Sequence, residues 1–188
     1  MVKYLAVAFS VILLIGSGIA VQAQTEDADI PTVFKTPEAL VVNMYKSVSS
    51  EKGSTPDWNL VKSHFHPDAV VVLRVSRTES KKFDLNGFIQ DFVDFYKRID
   101  PQQRGFKETV VSVKTMAYGN IAHCYVVYEA AVSPSNRPPQ RGLDSWHLVH
   151  MNNRWMVISV VNEIELAAGP TPREVFKINN NQGKIKNQ

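Results

Sequence analysis

One cysteine in 188 residues, Cys124, can close no intrachain disulfide, so stability has to come from packing. Charge of one sign is also scarce. Lys plus Arg number 21 against 18 Asp plus Glu, a formal net charge of +3, and losing Lys3 with a leader leaves about +2. A protein dedicated to nucleic acid concentrates basic charge on one face, and the segment Arg137-Pro138-Pro139-Gln140-Arg141 is too short for that. There is no glycine-rich phosphate loop and no internal repeat. Beyond the first 24 residues no apolar run approaches the length of about 20 needed to span a membrane. Metal ligands are equally thin. His64, His66 and Asp68 cluster at the end of a short helix without a further ligand pair, whereas zinc or iron sites need three or four converging groups. Neither a metal nor a cofactor is expected. Cys124 sits in an apolar run with no assignable base, which reads as packing and not as a nucleophile.

The composition itself, 44% hydrophobic, 21% charged and 10% aromatic, is that of a globular domain and excludes intrinsic disorder. Residues 1–23 have the layout of a secretory signal peptide. Lys3 supplies the charged start, residues 5–15 are apolar apart from Ser10, and Val21-Gln22-Ala23 is a small-residue cleavage site. Counting residues 16–22 as well would make a membrane anchor, the structural alternative. The expectation is cleavage near Ala23 and a secreted or periplasmic protein with no membrane contact afterwards.

Residues 24–35 read as a flexible lead-in, 36–168 as one domain, and 169–188 as a polar tail expected to be disordered. Thr36-Pro37-Glu38 offers a cap, a first-turn proline and an early carboxylate, followed by Val41, Met44, Tyr45 and Val48 on one helical face. Pro56-Asp57-Trp58 opens a second, short helix. Residues 69–75 read as a strand, and Asp84 caps a third helix with Leu85, Phe88, Ile89, Phe92, Val93 and Tyr96 on one face. From Phe106 the period changes to two. Strands are expected over 106–117, 121–132, 142–151 and 154–166, with Gly119-Asn120 as a type II′ and Asn152-Asn153 as a type I′ hairpin turn. The class is therefore α+β, with three helices on one face of a curved, mostly antiparallel sheet, enclosing a small-molecule pocket.

This order, with Ile121-Ala122-His123, Tyr128-Glu129, Arg141-Gly142-Leu143-Asp144-Ser145 and Arg154-Trp155-Met156-Val157-Ile158, resembles the nuclear transport factor 2-like superfamily of cone-shaped domains, and within it the SnoaL-like group. The resemblance spans about residues 37–166. It implies either a non-enzymatic binding protein or an enzyme of the ketosteroid isomerase, cyclase, dehydratase or epoxide hydrolase type with a carboxylate inside the cone. The isomerase Asp and Tyr, and the Asp-Arg-Asp of the hydrolases, have no position-by-position counterpart here.

Counting back from the Gly119-Asn120 turn places Ala117, Thr115, Val113 and Val111 opposite Ala122, Cys124, Val126 and Tyr128 on the inner face, with Val110 opposite Glu129 outside. From Asn152-Asn153, His150, Leu148, Trp146 and Asp144 fall opposite Trp155, Val157, Ser159 and Val161, and the two tryptophans are assigned to the pocket. Asp144 and Tyr128 are the candidate catalytic groups, because desolvation makes a carboxyl among aromatics a tunable acid or base. The alternative is that Asp144 only pairs with Arg141. Tyr45, Arg74, Phe92, Tyr96, Trp146, Trp155 and Ser159 are the candidate ligand-binding residues, with Arg74 either inside the cone or a rim charge paired with an acid. His123, His147 and His150 are not expected to cluster.

The function these residues suggest is binding of a small, apolar or amphipathic molecule. The alternatives are acid–base catalysis by Asp144, as an isomerase, lyase or hydrolase, and a dimeric interaction module with a filled cone. An outer face carrying Val110, Tyr125, Val127, Val149, Met151, Met156, Ile158 and Val160 is too apolar to stay wet, so a homodimer through that face is expected.

Overall fold

The computed structural model describes residues 30–165, so the signal-peptide and tail assignments lie outside the described residues. Each helix starts where its sequence can satisfy free backbone N–H groups. In α1 (Pro37–Ser47) the Thr36 hydroxyl accepts from Ala39 N–H at 3.1 Å with Pro37 in the first turn. In α2 (Trp58–Ser63) the Asp57 carboxylate accepts from Asn59 and Leu60 N–H. In α3 (Leu85–Ile99) the Asp84 carboxylate accepts from Gly87 N–H at 2.7 Å. Asp100, at φ 58°, ends α3 in the left-handed region, and Pro101 follows it.

The strands are β1 (Phe65–Arg74), β2 (Ser80–Asp84), β3 (Gly105–Tyr118), β4 (Ile121–Ser133), β5 (Gln140–Met151) and β6 (Arg154–Ile164). They form a single sheet in the order β2-β1-β6-β5-β4-β3, antiparallel except for the β1–β6 pair. Gly119 (φ 55°), and Asn152 and Asn153 (φ 52° and 61°), supply the positive φ angles that the two tight hairpin turns need. The helices pack on one face, where Leu40, Val41, Phe65, Val71, Trp146 and Val157 form the centre of the core. The sheet is thus an α+β cone.

Three sequence expectations need correction. The lead-in is folded at its end: Thr32–Phe34 is a 3-10 turn, and Phe34 is buried against His64, with the Arg154 guanidinium 3.9 Å from its ring centre. β2 was not expected, since Ser80-Lys81-Lys82 is polar; the charges are what a solvated edge strand carries. The third correction concerns register. The β3–β4 pairing follows the turn count only as far as Ser112↔Val127. Val111 is then an unpaired extra residue, so Val110, not Val111, stands opposite Tyr128, and Thr109, not Val110, opposite Glu129. In β5–β6 the count holds to Leu148↔Val157. Ile158 is the extra residue there, which puts Trp146 opposite Val160 and Asp144 opposite Asn162 in place of Ser159 and Val161. Each bulge exchanges inner and outer faces for the rest of its strand.

Candidate functional site

Beyond the bulges, between the sheet and helices α1 and α3, lies a cavity of about 510 Å³. Its apolar wall comes from Met44 and Tyr45 of α1, Phe88 and Phe92 of α3, and Trp146 and Val160 of the sheet. Among these side chains a chain of hydrogen bonds centres on Asp144, which is only 6% exposed. One carboxylate oxygen accepts from the Tyr45 hydroxyl, and the other accepts from the Asn162 amide at 2.6 Å. The Trp146 indole N–H donates to the Tyr45 oxygen at 3.2 Å. Asn162 also donates to the Tyr128 hydroxyl at 2.8 Å, while its carbonyl accepts from the Arg74 backbone N–H at 3.3 Å. Both ends of that amide are therefore committed, which fixes how it presents itself to Asp144.

A second carboxyl, that of Glu108 on β3, lines the same cavity, and no hydrogen bond or ion pair among the described residues reaches it. Burial, with the nearby Asp144 charge adding to it, pushes Glu108 up to about 8. Burial likewise raises Asp144, but its donors Tyr45 and Asn162 oppose the change and leave it at about 6. Near neutral pH the cavity thus holds one carboxylate and one carboxylic acid. Burial and then the Asp144 charge also raise the phenols of Tyr45 and Tyr128, which stay protonated.

Of the residues singled out from the sequence, Tyr45, Phe92, Tyr128, Asp144 and Trp146 meet around this cavity. Arg74 is at its mouth and is claimed by Glu163, Nη2 to carboxylate 2.6 Å, which decides between the two roles considered for it. Asp144 has no bond to Arg141, whose guanidinium pairs instead with Glu129 at 2.9 Å.

Three residues are misplaced by the sequence reading. Ser159, on the far side of the Ile158 bulge, faces outward and bonds to His147 at 3.0 Å. Trp155 is inward but at the filled, turn end of its hairpin, edge-on to His150 at 5.3 Å. Tyr96 packs in the core, where its hydroxyl donates to the Val48 carbonyl at 2.8 Å and ties α3 to the end of α1. The reading missed Glu108 and Asn162 altogether, and both owe their inward position to a bulge. His64 is a core histidine, with Nδ1 on the Leu60 carbonyl and Nε2 on Asn43, each at 2.8 Å.

No protein-family model and no curated protein matches the sequence. Solved structures do. An NTF2-like protein of unknown function from Pseudomonas putida KT2440 superposes with a TM-score of 0.55 at 9% identity, over 71% of this chain and 93% of that one. The fold is NTF2-like. The cone also matches a Streptomyces avermitilis protein provisionally described as an NTF2-like dehydratase (TM-score 0.53, 13% identity, 69% of this chain and 94% of that one). A Nostoc punctiforme protein of unknown function, described as having a cystatin-like fold, gives a TM-score of 0.54 at 12% identity, over 69% and 89%. At such identities the match speaks for the NTF2-like architecture and not for an activity.

The convex side of the NTF2-like sheet carries a second hollow, of about 710 Å³, walled by Met116, Tyr118, Ile121, Val149, Met151 and Ile158. His123 and His147, paired across β4–β5, stack beside it with ring centres 4.5 Å apart and planes at 16°. Assigning the histidines to separate or alternating faces keeps them apart, whereas the β4–β5 register sets His123 directly opposite His147. Tyr118 is 87% exposed and Ile121 63%. Two members of the expected outer patch, Val110 and Val160, belong instead to the inner face, again through the bulges.

Proposed function

We propose that the cone binds a small, largely apolar molecule, gripped by Tyr45, Phe92 and Trp146 and oriented by Asp144, Tyr128 and Glu108. The observation that carries this reading is the aromatic-walled cavity with a few convergent polar groups, the usual constitution of a ligand site. A thermal-denaturation screen against a metabolite library tests it: an apolar ligand raises Tm, and Asp144→Asn weakens that ligand about tenfold, the worth of one hydrogen bond to a charged group. A library in which no apolar compound shifts Tm overturns it.

A second reading, acid–base catalysis of an isomerase, lyase or hydrolase kind, is favoured by the separation of Glu108 (about 8) from Asp144 (about 6), which equips one cavity with an acid and a base near neutral pH. Full turnover by Asp144→Asn on a substrate found by the same screen would remove it. The SnoaL-like affiliation belongs with this reading. Export to the periplasm or medium rests on the leader-like residues 1–23.

The third part of the proposal is a homodimer through the convex face. The exposed apolar groups around Ile158 and Met116 support it, since a contiguous patch of this kind is uncommon on monomers. Ile158→Asp would place an unpaired charge in the contact at a cost of about 3–5 kcal/mol, weakening the dimer roughly a thousandfold. Light scattering at micromolar concentration is expected to give a dimer for the wild type and a monomer with unchanged circular dichroism for the variant. A monomeric wild type overturns the assignment.

A further inference from the structure

We infer that the cone's ligand carries a cationic amine on its apolar body. This rests on the reading of the cone as a binding site and names the chemical class that site selects. Four carboxyl groups line the cavity, Glu108 and Asp144 on the sheet, Asp91 on α3 and the exposed Glu79, and among the described residues its only basic lining groups are Arg74, Lys81 and Arg98. Arg74 is already paired with Glu163. Lys81 lies over the Phe83 ring, 5.2 Å from its centre, and both Lys81 and Arg98 are exposed at the mouth. The interior is thus acidic without an internal counter-charge.

Each ligand class meets that interior differently. A carboxylate or phosphate would face Asp144 at low dielectric and be repelled. A hydrocarbon would cover the half-buried Glu108 carboxyl without giving it a partner, which costs the hydration it loses. An ammonium group donates to Glu108 and to the remaining lone pairs of Asp144, and the half-buried Phe92 ring in the wall favours a cation further. The proton count is then defined. The amine enters as the ammonium ion and remains so, and Glu108, a carboxylic acid in the empty cavity, loses its proton to the buffer as the ion pair forms.

Isothermal calorimetry of the purified protein with phenethylamine, phenethyl alcohol and phenylacetate, which share one apolar body, tests this in buffers of differing ionisation enthalpy at neutral pH. The expected result is at least tenfold tighter binding of the amine than of the alcohol, no binding of phenylacetate, and release of close to one proton per amine bound. Glu108→Gln abolishes the proton release and narrows the amine preference; wild-type data decide the matter even if that variant folds poorly. Equal affinity for alcohol and amine, or amine binding without proton release, overturns the inference while leaving the cone a binding site. Binding of none of the three at millimolar concentration also overturns it, and the library screen then decides separately whether the cone binds anything.

Discussion

Glu108→Gln is expected to leave stability near the wild-type value at pH 5 and to raise it by roughly 4 kcal/mol at pH 9, reading the displaced carboxyl at about 1.4 kcal/mol per pH unit. The sign follows from linkage. In the unfolded chain Glu108 titrates near 4.5 and in the cone near 8, so between those values the folded protein holds a proton that the unfolded protein releases. Stability contributed by this group is whole below about 4.5 and is lost as pH rises through 8. Asp144, raised from 3.8 to about 6, adds a smaller loss in the same direction over a lower window. The wild type should therefore unfold at progressively lower urea concentration from pH 5 to pH 9, against the common pattern in which ion-paired carboxylates make proteins more stable as they ionise. Glutamine keeps the shape and cannot charge, so the variant's curve should be nearly flat across the upper part of that range. Urea titrations of both proteins at several pH values check this. Parallel curves would mean that water or a cation neutralises Glu108 in the cone.

Gly142→Ala is expected to cost about 2–3 kcal/mol, in the range of overpacking a close contact, and to abolish ligand binding with it. Gly142 pairs with Tyr128 across β4–β5, and the phenol ring lies over it. A Cβ at Gly142 would stand 2.5 Å from Tyr128 Cζ and 2.6 Å from Cε1. The ring has little room to yield: its hydroxyl is held by Asn162, and the Tyr45 ring lies tilted against it at 5.7 Å between ring centres. Urea unfolding of Gly142→Ala, made both alone and with Tyr128→Ala, separates the clash from any backbone effect. The alanine should cost little once the ring is gone. An equal cost in both backgrounds would show that the ring is not the cause.

How much of this could be read beforehand depends on whether a signal is local. Thr36, Asp57 and Asp84 announce their helices because capping is a matter of three or four consecutive residues. Gly119-Asn120 and Asn152-Asn153 announce their turns for the same reason. Asp144, Tyr128 and Trp146 are legible because β4 and β5 keep their alternation in phase, and Tyr45 and Phe92 because the helical period puts them on the apolar faces of α1 and α3. Glu108 and Asn162 are not, since counting by two from a turn carries no sign of an inserted residue, and Val111 and Ile158 look like any other apolar strand residues. Ser159 was misassigned by the same count. The His123–His147 stack depends on a pairing between strands joined by a long loop, for which no turn sets the register.

The two bulges also bend the strands that carry them, so Val111 and Ile158 help to curve the sheet into a cone. They act as phase shifts as well: on the turn side of each, a strand follows one alternation, and on the other side its complement. Glu108 and the Asn162 partner of Asp144 both lie on the shifted side. Part of the sheet's curvature and part of the cavity's chemistry are therefore set by the same two inserted residues, and those parts cannot drift independently. Chains sharing this outline but lacking either insertion would show a flatter wall and a different set of side chains to whatever enters, even with every surrounding residue unchanged. For this architecture, the spacing of residues along a strand is as informative about ligand choice as their identity.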